Sequence, residues 1–197
     1  MFVNGASMKR VWLQDCNTAM KHIHILGISG SLRSDSTNTV ILKTLGSLLP
    51  SDISFEIFQG LDEIPHFSPG IADNGPLSRF KQAIQQATAV VVCTPEYAFG
   101  VPGTLKNALD WTVATGDLND KPVSAISASP LNSGGSNALA SLLLTLTALG
   151  TKKNEGSALS VPNIKSKIGP DGQINDEGLL EALRMQVDNL MRLIHST

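Results

Sequence analysis

The run Ala89-Val90-Val91-Val92-Cys93 is apolar at every position, and it constrains the fold more than any other stretch. A strand with one solvated face alternates apolar and polar residues. A strand with no polar position is covered on both faces, as a central strand of a parallel sheet is. Directly after this run the chain turns polar and rich in Gly and Pro, through Thr94, Pro95, Glu96, Tyr97, Ala98, Phe99, Gly100, Val101, Pro102 and Gly103, and then becomes helical toward Trp111. A second loop, residues 29–38, does the same after an earlier apolar run. Open α/β sheets bind ligands at loops leaving the carboxyl ends of their strands, so two such loops predict one shared site.

The rest of the chain supplies a frame for these loops. Residues 22–28 read as a first strand, and 38–49 as a helix with Val40, Ile41, Leu45, Leu48 and Leu49 at helical spacing. Residues 53–58 alternate in the manner of a strand near a sheet edge. Residues 60–76 carry Pro65, Pro69, Gly70, Gly75 and Pro76 and read as a long loop, in which His66 has no partner. A helix through Leu77, Phe80, Ile84 and Ala87 leads into the apolar run. A fourth strand at 123–128, an apolar helix at 139–149, a fifth strand at 156–161 and a helix through Leu179, Leu183, Val187, Leu190, Met191 and Ile194 complete the pattern. Five strands alternating with five helices predict one doubly wound, five-stranded parallel sheet with helices on both faces. In the order 2-1-3-4-5, the topological switch point falls between strands one and three, whose trailing loops are the two unusual ones.

Three further readings bear on function. His22 and His24 share one strand face, but no Cys, Asp or Glu lies nearby in sequence to complete a metal site, so they read as ordinary strand residues. The 139–149 helix carries Leu around much of its circumference, which fits either a subunit interface, of a homodimer or homotetramer, or a deeply buried helix. Residues 1–20 show no period and read as an N-terminal extension to a domain spanning 21–197.

Charge and cysteine content narrow the classes of partner. The formal net charge of −2 gives no electrostatic reason to bind nucleic acid or an anionic membrane surface, which points to a small-molecule partner. Cys16 and Cys93 imply no disulfide framework, and no run is long enough for a membrane span or a secretory signal, so a cytoplasmic protein is expected.

The first loop places the hydroxyls of Ser31, Ser36 and Thr37, the amide of Asn38 and the cation of Arg33 at a helix start. Helix N-terminal amides, hydroxyl donors and a guanidinium together suit a phosphate. Ser and Thr are also the ordinary N-caps, so a simple capped turn is the competing reading. The loop is neither G-x-x-x-x-G-K-[ST] nor G-x-G-x-x-G, which favours a mononucleotide over a triphosphate or a dinucleotide. In the second loop, Pro95 and Pro102 stiffen the backbone while Tyr97 and Phe99 offer flat apolar surface for a planar ring. Glu96 finds no Ser-His-Asp, Cys-His or paired-carboxylate set and reads as a structural or ring-orienting acceptor.

Gly30-Ser31-Leu32-Arg33-x-x-Ser36-x-Asn38, followed by Pro95-Glu96-Tyr97-x-x-x-Val101-Pro102-x-x-Leu105-Lys106-Asn107-Ala108-Leu109-Asp110-Trp111, resembles the two cofactor loops of the NADPH-dependent FMN reductases. This is a flavodoxin-like family that includes quinone, chromate and azo-dye reductases. The resemblance covers roughly residues 22 to 195. It implies non-covalent FMN, with Ser31, Arg33, Ser36, Thr37 and Asn38 around the phosphate, Pro95, Glu96, Tyr97, Ala98 and Phe99 along the ring, and Ser129 as a third ring contact. It also implies hydride transfer from NADPH or NADH through the flavin to a small electron acceptor, a quinone, azo compound, chromate or free flavin, in a ping-pong cycle. The flavin carries that chemistry, so no catalytic side chain is required.

The chain departs from the family pattern at Ala98, where relatives usually have Asn, and at Ser136-Asn137-Ala138, where relatives often have an arginine nearby. A flavodoxin-type single-electron carrier and a module that has lost its flavin are the alternative readings. The modest net charge argues against the carrier, which docks through a strongly acidic surface.

Overall fold

In the computed structural model, residues 22–196 are described, and the expected extension at 1–20, with Cys16, lies outside them. Strands β1 (His24–Ser29), β2 (Ser54–Ile57), β3 (Ala89–Thr94), β4 (Val123–Ala128) and β5 (Ala158–Val161) pair in parallel throughout, in the order β2-β1-β3-β4-β5. The helices are α1 (Thr37–Ser47), α2 (Gly75–Gln86), α3 (Gly103–Asp110), α4 (Ser136–Ala148) and α5 (Glu177–His195). The flavodoxin-like, doubly wound architecture expected from the sequence is therefore the architecture observed.

The apolar run at 89–93 has a physical explanation in two separate cores. Val90 and Val92 pack on one face of the sheet with Leu77, Phe80, Leu105 and Leu142 of α2, α3 and α4. Ala89, Val91 and Cys93 pack on the other with Ile41, Leu45, Leu183 and Leu190 of α1 and α5. Both sides of β3 are thus removed from water, and a polar side chain at any of these positions would need a buried partner. The expected edge strand is also observed, since β2 pairs only with β1 and leaves Glu56 exposed.

Local rules account for the shifts in boundaries. Asn74 caps α2, its side chain accepting the amide of Leu77 at 3.1 Å, and Pro76 sits in the first turn, where a missing N–H is tolerated. The breaker-rich loop therefore ends two residues earlier than its composition predicts, and Leu61–Glu63 forms a short 3-10 turn inside it. In α4, Leu139, Leu142 and Leu146 are buried while Leu144 is 73% exposed between the exposed Ala140 and Ala148. That helix has one core face and one outer face, so the two readings of it reduce to what covers Leu144.

His22 Nε2 and His24 Nδ1 both lie against Ser54 Oγ, at 3.0 and 2.8 Å, and the parallel register brings Glu56 Oε1 to 3.4 Å from His24 Nε2. The carboxylate that no sequence neighbour supplies comes from the paired strand. The cluster pins β1 to β2 at the amino end of the sheet, away from the two loops.

Candidate functional site

The first and second loops meet at Gly30. Its amide donates to the Cys93 carbonyl at 2.8 Å, which fastens the exit of β1 to the exit of β3. A Cβ at Gly30 would lie 3.0 Å from Leu105 Cδ2, 3.1 Å from Thr94 Oγ1 and 3.3 Å from Pro95 Cδ. Any side chain there would press the wall of the second loop back by at least a few tenths of an ångström.

Beyond Gly30 the first loop folds on its own hydroxyls. Ser31 Oγ accepts the Arg33 amide at 3.4 Å, and Ser36 caps α1 by accepting the Asn38 amide at 3.2 Å. Thr37 is the first residue of α1. Among the described residues, the amides of Leu32, Ser34 and Thr37 meet no acceptor, so the loop retains free N–H groups at a helix start. Arg33 makes two bonds to Asp35, Nε to Oδ1 at 3.1 Å and a terminal nitrogen to Oδ2 at 2.8 Å, and both side chains are exposed. That contact raises the Arg33 pKa and holds the Asp35 carboxyl below its ordinary value, with Lys165 adding a small further effect on Asp35. Asn38 behaves differently from its neighbours. It is buried, and its Oδ1 accepts the Cys93 thiol hydrogen at 3.3 Å, so it ties α1 to β3 beneath the loop. Burial pushes the Cys93 thiol far up, which leaves it protonated and inert.

The second loop is a tight two-residue turn. Tyr97 and Gly100 exchange amide–carbonyl bonds at 3.0 Å in both directions, and Ala98 and Phe99 between them have φ of 49° and 60°. Two consecutive positive-φ residues make this a type I′ geometry, which Asn-Gly satisfies without strain and Ala-Phe does not. Pro95 is buried, whereas Tyr97 is 51% and Phe99 79% exposed, so the loop offers two aromatic rings to solvent beside the phosphate loop.

Glu96 links this turn to a third loop. Its Oε2 accepts the amide of Ala138, in the first turn of α4, at 3.0 Å. Gly134 and Gly135, just before α4, both have positive φ, and Ser127 Oγ donates to the Gly134 carbonyl at 2.8 Å. Ser129 is buried, and its Oγ accepts the Leu131 amide at 3.1 Å, so it shapes the third loop from within.

The string from Lys106 to Trp111 makes its contacts away from the two cofactor-type loops. Asn107 Oδ1 accepts the Phe67 amide at 2.7 Å, its Nδ2 donates to the Pro65 carbonyl at 3.0 Å, and Trp111 Nε1 donates to the same carbonyl at 2.8 Å. Phe67 packs edge-on against Trp111 at 5.1 Å. Lys81, largely buried, reaches both oxygens of Asp73 at 3.1 Å. These contacts hold the long β2–α2 loop against α3. Sequence reading missed this role, and the signal available was the pairing of a long breaker-rich loop with Asn and Trp one helical turn apart.

Chemically, the carboxyl end of the sheet presents free amides, hydroxyls and a guanidinium on one side and exposed aromatic surface on the other. This donor set fits a phosphate joined to a planar ring. A wide groove elsewhere, between α1 and β2 and lined by Lys43, Gly46, Ile53, Phe55, Ile57 and Gln59, has one cation and no converging donors, so shape alone does not mark the site.

Comparison with known proteins supplies the remaining observations. The model of the family described as NADPH-dependent FMN reductase matches residues 23–165. An NAD(P)H-dependent FMN reductase of Pseudomonas aeruginosa is 30% identical over 85% of this chain and 93% of its own length. A quinone reductase of Escherichia coli is 30% identical over 84% of this chain and 92% of its own. Among solved structures, the flavoenzyme NAD(P)H:(acceptor) oxidoreductase FerB of Paracoccus denitrificans superposes with a TM-score of 0.79 at 28% identity, covering 88% of this chain and 98% of that one.

Proposed function

The chain belongs to the NADPH-dependent FMN reductase family, and on that premise we propose that its three loops hold FMN at the β1/β3 switch point and pass electrons from NAD(P)H to a small acceptor in a ping-pong cycle. It is an FMN-dependent NAD(P)H oxidoreductase in type. The observation that carries the assignment of residues is the junction at Gly30, where the phosphate-type loop and the aromatic loop are fastened into one surface. Ser31, Ser36, Thr37 and Arg33 surround the phosphate position. Pro95, Glu96, Tyr97, Ala98 and Phe99 form the ring wall, with Ser129 shaping its far side. Asn38 stands with Ser31, Ser36, Thr37 and Arg33 at the phosphate, its Oδ1 held by the Cys93 thiol so that its side-chain amide is fixed at the start of α1.

When bound, FMN would supply the two-electron chemistry between the nicotinamide and the acceptor. This chain supplies position. Free amides at the start of α1 neutralise part of the phosphate charge, and the closed turn at Tyr97–Gly100 presents its backbone and rings without reorganising. A neutral aromatic acceptor, a quinone above all, matches the exposed Tyr97 and Phe99 and the absence of a side-chain amide at position 98. The relatives named quinone reductase support the same class. The outer face of α4 around Leu144 is the surface on which the chain assembles as a homodimer or homotetramer. A cytoplasmic setting agrees with the free, buried thiol of Cys93, and among the described residues no helix is long and apolar enough to cross a membrane.

Initial-rate kinetics test the cycle. Varying NADPH or NADH at several fixed concentrations of a benzoquinone, with FMN present, is expected to give parallel double-reciprocal lines. Intersecting lines would mean that donor and acceptor occupy the site together.

A further inference from the structure

The phosphate loop carries its own anion. Arg33 is the only cation between Ser29 and Asn38, and one edge of its guanidinium, Nε and a terminal nitrogen, is engaged by the two oxygens of Asp35. This is a bidentate geometry with which arginine also binds a phosphate. The carboxylate therefore occupies one of the two edges on which Arg33 could take a phosphate, and partly neutralises its charge. Both side chains are well exposed, at 66% and 72%, so neither is locked by packing and the pair is free to exchange partners with a ligand from solvent. Among the described residues, Asp35 makes no other side-chain bond to a neighbouring element, and Ser36 caps α1, so Asp35 is not needed to build the helix start.

We propose that Asp35 competes with the FMN phosphate for Arg33 and makes FMN a loosely held, exchangeable ligand of this chain. The inference rests on the FMN reading given above. When a phosphate arrives, Arg33 has two arrangements open to it. If it turns to the phosphate, Asp35 is left as an unpaired carboxylate beside a second anion. If it stays with Asp35, the phosphate meets at most the remaining edge of a guanidinium whose charge the carboxylate already partly neutralises, together with the amides and hydroxyls of the loop. Either way the loop offers about one positive charge less than Arg33 alone would, and FMN leaves more readily. Among the described residues, Lys165, in the turn Ile164–Lys167 after β5, also lowers the Asp35 pKa slightly, and it is retained in the variants below.

The test is an equilibrium titration of the full chain, freed of flavin by dialysis, in which flavin fluorescence is followed for FMN and for riboflavin, which lacks the phosphate. Asp35→Asn and Asp35→Ser are compared with the unmodified chain at low and at moderate salt. Both variants change an exposed side chain, and circular dichroism checks that they remain folded. The expected result is FMN binding tightened about fivefold at low salt, the size of one unscreened exposed charge interaction, with a steeper loss of affinity as salt rises and riboflavin binding unchanged. Unchanged or weakened FMN binding in both variants would overturn the proposal, weakening in particular showing that Asp35 positions Arg33. Equal tightening of both flavins would overturn it too, because the effect would then not act through the phosphate. If no form of the chain binds either flavin, the FMN reading itself fails, and this proposal falls with it.

Discussion

Glu96 Oε2 accepts the backbone amide of Ala138 at 3.0 Å, so the loop that follows β3 caps the helix that follows β4. Gly135, the residue before α4, has no side chain to do this. The ring wall and the third loop are thereby one mechanical unit. Glu96→Ala leaves an orphan amide at the helix start and is expected to lower the unfolding free energy by about 1 kcal/mol. Glu96→Gln keeps an acceptor oxygen and should recover most of the loss. Urea unfolding of the three forms measures it, and an Ala variant as stable as the unmodified chain would show that water replaces the cap.

The turn at Ala98-Phe99 holds two side-chain-bearing residues in left-handed backbone. Replacing the pair by Asn-Gly supplies the residues that such a turn prefers. Phe99 is 79% exposed, so little packing is lost. Unfolding free energy should rise by about 1 kcal/mol, and the KM for an aromatic quinone should rise as well, because the exposed ring is gone. The Asn amide adds a polar contact at the ring wall, and FMN should bind more tightly than to the unmodified chain. A gain in stability with no change in either ligand would show that the turn does not line the site.

Trp111→Phe keeps the ring that packs against Phe67 and removes the bond from Nε1 to the Pro65 carbonyl. The expected cost is about 1 kcal/mol, together with faster hydrogen exchange confined to the β2–α2 loop. Exchange that rises evenly across the sheet would mean that Trp111 supports the core and not the loop.

The doubly wound sheet was legible in the sequence because its determinants are local. The apolar run at 89–93, the alternation at 53–58 and the spacing of helical Leu residues each report burial directly. The two loops could be read for the same reason, since each follows a strand without interruption. What joins the loops was not legible. Glu96 and Ala138 are 42 positions apart, and Asn107 reaches Phe67 across 40, so no pattern of spacing announces either contact. The bond that the Cys93 thiol donates to Asn38 Oδ1 was not legible either, for the two residues come from different elements of the chain. The Arg33–Asp35 pair lay in plain view two residues apart, and only the structure shows the two side chains engaged with each other.

Asp176 caps α5, accepting the Leu179 amide at 2.7 Å and meeting Lys167 Nζ at 3.1 Å, and these contacts hold its carboxyl below the ordinary value. A carboxyl with a lowered folded-state pKa stabilises the fold above its unfolded pKa of about 4, and the stabilisation disappears as pH falls through the folded value. Asp176→Asn keeps a capping oxygen and removes the charge. The variant should be less stable than the unmodified chain at pH 7, and the difference should close below about pH 4. A difference that persists unchanged at pH 3 would assign it to the geometry of the cap.

The central claim, that the loops after β1 and β3 together form an FMN site, is tested most directly by titrating the purified full chain with FMN beside the variant Gly30→Val. The side chain of valine would drive the two loops apart at Leu105, Thr94 and Pro95. The account predicts saturable binding of one FMN per chain with NAD(P)H oxidation that depends on it, and loss of both in Gly30→Val while circular dichroism remains that of a folded α/β protein. A chain that neither binds added FMN nor oxidises NAD(P)H, or a folded Gly30→Val variant that binds FMN as well as the unmodified chain, would contradict it.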